Sequence, residues 1–155
     1  MGIEAFSILM ETDEASGALA GFFERRQFVL KKPLPDSPRV VHFEYETNEF
    51  IVEASVCSKP SLLPQVRIEF ALCNGDGADR FVEHLAAEYL HSFPSEVWFL
   101  SATSEGRHFA RGDAAGVIAG IRQELPILRG NWTRLFGNRQ GPVRISTAYR
   151  FVGIS

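Results

Sequence analysis

The chain has 155 residues, 45% hydrophobic and 23% charged, which is enough to bury a core and far from the composition of disordered segments. No apolar stretch approaches the ~20 residues of a membrane span. The start lacks a basic segment followed by an apolar run, which excludes a secretory signal, so the expectation is a single cytoplasmic domain over 1–155. Net charge is −3, unevenly spread: residues 1–106 hold 8 basic and 17 acidic groups, residues 107–155 hold 8 arginines and 2 acids. That division implies either two parts that neutralise each other or a charged partner.

In chain order, residues 5–10 are short and apolar, which predicts a buried strand. Thr12 and Asp13 offer helix N-caps. Ala15, Leu19, Phe22, Phe23 and Arg26 follow at helical spacing, predicting a helix over 14–26 that Gly17 and Gly21 weaken. Residues 28–31 can form a short strand. Pro33, Pro35 and Pro38 mark a loop.

Three alternating runs come next. Val41, Phe43, Tyr45 and Thr47 alternate with His42, Glu44 and Glu46. Phe50, Val52, Ala54 and Val56 alternate with Ile51, Glu53 and Ser55. Val66, Ile68, Phe70 and Leu72 alternate with Arg67, Glu69 and Ala71. A two-residue turn at Asn48-Glu49 sets Tyr45 opposite Val52 and Phe43 opposite Ala54, and pairing Cys57 with Gln65 sets Ala54 opposite Ile68. Both registers gather the apolar set on one face, and a slip of one residue would scatter it. The prediction is an α+β fold: an antiparallel sheet with a three-strand meander at about 39–73 and helices packed on one face.

Asn74-Gly75-Asp76-Gly77 predicts a turn with Asp76 as the next N-cap. Phe81, Val82, Leu85, Ala86, Tyr89 and Phe93 line one helix face ending before Pro94. Residues 96–103 predict a buried strand through Val97, Trp98, Phe99 and Leu100, and 104–112 a polar loop. Asp113 caps a second long helix bearing Val117, Ile118, Ile121 and Leu125, which Pro126 should kink or break. Leu128, Trp132, Leu135 and Phe136 continue the stripe to a C-cap at Gly137-Asn138. The tail, 143–151, fits a strand or a short helix capped at Ser146-Thr147.

Nucleotide-binding loops, nucleophile elbows and close-set metal-ligand pairs do not occur. His84 and His91 stand two helical turns apart, and a metal would need further ligands. No catalytic, cofactor or metal residue is therefore assigned. The register puts Cys57 and Cys73 ~25 Å apart along the sheet, too far for a disulfide, so both should be free thiols. Among the C-terminal arginines, Arg122 and Arg129 flank the apolar stripe, with Arg111, Arg134, Arg139 and Arg144 around them. The acidic total and the lack of aromatic-interleaved basic motifs speak against nucleic acid.

The polar face of the three strands is the candidate site. Glu44, Glu53 and Glu69 fall in one row, Glu46 lies beside it, and His42, Ser55 and Arg67 form the next. Aligned like charges repel. Such a row fits a basic protein partner, a divalent cation or paired catalytic carboxylates, or else a solvated face where side chains splay and Arg67 relieves the repulsion. The candidate partner-binding residues are Glu44, Glu46, Glu53, Glu69, His42 and Arg67. The favoured expectation is a non-catalytic protein-binding domain; the alternatives are a small-molecule or metal-binding domain, and an enzyme using sheet carboxylates.

The run Val66-Arg67-Ile68-Glu69-Phe70-Ala71-Leu72-Cys73-Asn74 with its following helix, and the segment Asn131-Trp132-Thr133-Arg134-Leu135-Phe136-Gly137, resemble small bacterial single-domain α/β proteins of the toxin-immunity type. The resemblance implies a stoichiometric protein that neutralises a partner, and it assigns no catalytic residue.

Overall fold

The computed structural model describes residues 5–33, 39–59, 62–100, 107–137 and 141–145. Among the described residues, seven strands and three helices follow in the order β1 (Ala5–Glu11), α1 (Ser16–Arg25), β2 (Val29–Leu30), β3 (Val40–Glu46), β4 (Ile51–Cys57), β5 (Gln65–Ala71), α2 (Gly77–Ser92), β6 (Glu96–Phe99), β7 (Arg107–Phe109) and α3 (Ala114–Phe136). The strands form one sheet in the order β2-β3-β4-β5-β1-β6-β7, and every neighbouring pair is antiparallel. This is an α+β architecture.

The expected registers are present: Tyr45 faces Val52, Phe43 faces Ala54, Ala54 faces Ile68 and Cys57 faces Gln65. Thr47 N–H donates to Phe50 O at 2.9 Å and closes the tight turn. The first strand slots between β5 and β6, placing Phe6, Ile8 and Met10 on the same face as Phe70, Ile68 and Val66. All six are fully buried. Apolar side chains at every second position on five strands leave one large face to cover. Helices α1 and α2 pack onto β4, and α3 packs on α2. Aromatic rings fill the layer between: Phe22 meets Tyr89 at 5.3 Å and Phe6 meets Phe99 at 5.4 Å, both edge to face, the geometry ring quadrupoles favour. Gly120 lets α3 lie close to β6 and β7, because a Cβ there would come within 3.0 Å of the Phe99 ring and 2.9 Å of Phe109.

Several local expectations fail for identifiable reasons. Helix α1 starts at Ser16 with Ala15 as its N-cap and no side-chain cap. Thr12 instead donates its hydroxyl to Pro94 O, and Asp13 pairs with Arg111. Asp76 heads α2 in helical geometry and does not cap it with its side chain, whereas Asp113 does cap α3 through Gly116 N–H. Of the kink or break expected at Pro126, the break does not occur: α3 runs through it to Phe136, with Gly137 as C-cap at φ 78°. Leu135 points to solvent rather than into the stripe. The predicted strand at 96–103 ends at Phe99, with 101–103 outside the described residues. The expected loop at 104–112 contains β7, and 104–106 also lie outside the described residues. The tail after Ile145 and the candidate cap at Asn138 lie outside them as well. Cys57 and Cys73 are free. Among the described residues, no helix is long and apolar enough to cross a membrane.

Candidate functional site: the helix-free sheet face

Because α1, α2 and α3 all cover one side, the alternate residues of the strands make up a second face, free of helix among the described elements α1, α2 and α3. Register fixes its rows. Glu44, Glu53 and Glu69 stand side by side on β3, β4 and β5, and Ser7 of β1 continues the row. The next row runs His42, Ser55, Arg67, Leu9, Trp98 and His108 across six strands. A third runs Cys57, Gln65, Glu11 and Glu96. Glu46 lies beyond the acidic row, opposite Ile51. The six residues expected from sequence thus share one face, three of them in a single row.

The acidic row is not the open surface that alternation suggested. Glu44 is buried, 8% exposed. The guanidinium of Arg144 donates to its two carboxylate oxygens from Nε and NH2 at 2.8 and 2.9 Å, reaching Glu46 at 3.4 Å. The Lys31 ammonium lies 3.6 Å from Glu44. Glu53 accepts the backbone N–H of Ile145 at 3.0 Å, and Glu69 accepts the hydroxyl of the fully buried Ser7 at 2.8 Å. Burial raises the Glu53 pKa above its ordinary 4.5; the Ile145 amide opposes this, Glu69 and Glu44 add to it, and Arg144 opposes it. Arg67 was expected to relieve the repulsion. It stands one row away and pairs with no carboxylate among the described residues, and Arg144 and Lys31 do the neutralising instead. A single-strand pattern has no means of showing that a segment 100 residues distant folds across it.

That segment, 141–145, is seated by Asn74. The Asn74 amide accepts from Ile51 N–H and Val143 N–H, both at 2.9 Å, and donates to Ala71 O and Val143 O at 2.8 and 2.9 Å. Gly141 N–H donates to Cys73 O at 3.2 Å. Asn74 read only as a turn former in the sequence. Its donor and acceptor are both saturated, so it joins β4, the end of β5 and the C-terminal segment at one point.

Away from this cover the face stays half-exposed. Trp98, expected in a buried strand, lies on the helix-free side, with its ring stacked on His108 at 5.0 Å. His108 Nε2 is 2.5 Å from Glu96. His42 has a buried Nε2 with no hydrogen-bond partner among the described residues. Among the described residues, Glu11, Glu44, Glu46, Glu53, Glu69 and Glu96 on this face stand against Arg67, Arg144 and Lys31, an excess of three carboxylates over these cations. The described clefts lie elsewhere: about 300 Å3 between α1, β3 and α2, about 280 Å3 between α2 and α3, and about 230 Å3 beside β6 and the start of α3. None of the three is lined by the acidic row. His84 and His91 are both exposed on α2.

No family model, curated protein or solved structure matches the chain.

Proposed function

We propose that the chain is a non-catalytic protein-binding domain, of the type that neutralises a basic partner protein, and that it binds through its helix-free sheet face. The observation that carries this reading is the excess of carboxylates on a broad sheet face that none of α1, α2 and α3 covers. Such a face attracts a basic partner over long range and rejects an acidic one. The way Arg144 lies on Glu44 and Glu46 supports the chemistry, since a guanidinium already fits there in two-pronged geometry. The carboxylates available to a partner are the peripheral ones. Glu46 and Glu96 have side chains 54% and 40% exposed, whereas Glu44 and Glu53 hold the C-terminal segment.

The test is chemical cross-linking in cells of the source organism, then affinity measurement with the protein recovered. The expected partner is basic and cross-links to β1, β3, β5 or β6. Replacing Glu46 and Glu96 with Gln should slow association at low salt, with the difference shrinking as salt rises. A partner that cross-links only to the helices, or that binds the double variant as tightly as wild type at low salt, would overturn the proposal.

A further inference from the structure

We propose that the cleft between α1, β3 and α2 is a binding site for a small aromatic carboxylate, separate from the helix-free face. The cleft measures about 300 Å3 and is lined by Arg25, Arg26, Gln27, Tyr45, Phe81, His84, Leu85 and Glu88. That is the lower end of the range for small-molecule sites and suits one ring or a fused pair.

One wall is aromatic. Tyr45 and Phe81 stack with ring centroids 4.4 Å apart and planes 19° apart, and Phe28 and Phe50 brace them from either side. Both stacked rings are only half-buried, so a planar ligand can extend the stack. The rim is cationic. Arg26 is held in place: its guanidinium lies 3.6 Å over Phe22 and binds Glu88 at 2.6 Å. The one carboxylate of the cleft is therefore already paired. Arg25 pairs with no carboxylate among the described residues, and Tyr45, His84 and Gln27 add side-chain donors at the same opening. Donors thus outnumber acceptors, which selects an anion over a cation.

The C-terminus of α1 abuts the cleft, and its bare carbonyls would repel an anion. They are covered. Arg26 caps Phe22 O with its side chain, and the N–H groups of Arg26, Gln27 and Phe28 take Phe23 O and Glu24 O. Gln27 itself sits at φ 68°, a left-handed conformation where glycine is far easier. That conformation closes α1 as a helix C-cap, with Gln27 N–H on Glu24 O and Phe28 N–H on Phe23 O, and it sets the Gln27 residue at the lip of the cleft.

The test uses the full chain, isotope-labelled, and backbone amide shifts. Benzoate is the probe; benzamide removes the charge and inorganic phosphate removes the ring. Benzoate should give saturable shifts confined to residues 25–28, 45 and 81–88, with benzamide and phosphate at least tenfold weaker. Arg25→Glu, at an exposed side chain, and Gln27→Gly, which relieves the backbone, should both keep the wild-type spectrum elsewhere and bind benzoate at least tenfold more weakly. The proposal is overturned by shifts that do not saturate or that map outside the cleft, by equal binding of benzamide or phosphate, or by wild-type affinity in either variant.

Discussion

Asn74 ties three separate stretches of the chain together through one side chain. It is fully buried, and four groups bond to it: two N–H donors and two carbonyls. Asn74→Ala removes the partner of Ile51 N–H and of both Val143 groups, while Ala71 O keeps the backbone N–H of residue 74 at 3.0 Å; a buried unsatisfied group costs about 1–3 kcal/mol, so the loss should be about 2–3 kcal/mol in urea unfolding. Phe70, with no exposed surface and ring contact to Phe6 at 6.1 Å, should lose about 3–5 kcal/mol on truncation to Ala. On the opposite face of the same strand, strict alternation would make Glu69→Ala neutral. The Ser7 hydroxyl it accepts is buried, however, so a cost of about 1 kcal/mol is expected, and the same unfolding series measures both. Glu53 behaves differently again. Its folded pKa is raised, chiefly by burial, so the folded state holds the proton more tightly than the unfolded chain does. Stability from this group is greatest at acid pH and falls as pH rises from the ordinary carboxyl pKa through the raised one. Glu53→Gln removes that loss and keeps an oxygen for Ile145 N–H. Relative to wild type, the variant should gain stability between about pH 4 and pH 7, and an unchanged or shrinking difference would contradict the assigned burial.

At the scale of elements, Arg129 binds α3 to the start of α2. Its Nε and NH2 grip Asp79 at 2.6–2.9 Å, and its remaining N–H groups donate to Leu72 O, Asn74 O and Gly75 O. A lysine keeps the charge but lacks the planar fork. Arg129→Lys should therefore cost about 2 kcal/mol or more by thermal or urea melting, and a near-neutral result would mean the turn carbonyls find other donors. Arg129 appeared in the sequence only as a charge beside an apolar stripe. The core strands were far more legible, because period two over β3, β4 and β5 admits one register that gathers Phe43, Val52, Ala54, Val56, Val66, Ile68 and Phe70 on one buried face. Both long helices announced themselves through apolar spacing. What failed was set by tertiary context. Residues 107–109 become a strand through pairing with β6, which three residues do not announce alone. Pro126 is tolerated because α3 is held by packing on both sides of it, with Leu125 and Leu128 buried. The acidic row was legible as a row, and its cover by Arg144 was not, since nothing local links β3 to residue 144.

Over the whole molecule, the charge division resolves largely into internal pairs. Arg111 meets Asp13, Arg122 meets Glu83, Arg129 meets Asp79, and Arg144 meets Glu44 and Glu46. Each joins a C-terminal arginine to an acid of the first two thirds of the chain. The pairs differ in weight. Arg111 and Asp13 are largely exposed, where ion pairs contribute little. Arg144 is half-exposed, but its partner Glu44 is buried, and a buried carboxylate that loses its cation keeps the desolvation penalty without the compensation. Arg144→Glu sets a third carboxylate beside Glu44 and Glu46. It should cost about 1–3 kcal/mol, more at low salt than at high, because the new repulsion is screened. The polar links of the 141–145 segment to the rest of the described fold run through Asn74, Glu44, Glu46, Glu53 and Cys73 O, and Ile145 packs into the core. Hydrogen exchange in Arg144→Glu should therefore speed at the Val143 and Ile145 amides while β4 and β5 keep their protection. Uniform loss of protection across the sheet would instead place the segment within the cooperative core. In that event the acidic row would be an internal electrostatic joint throughout its length, and only Glu46, Glu11 and Glu96 would remain for a partner.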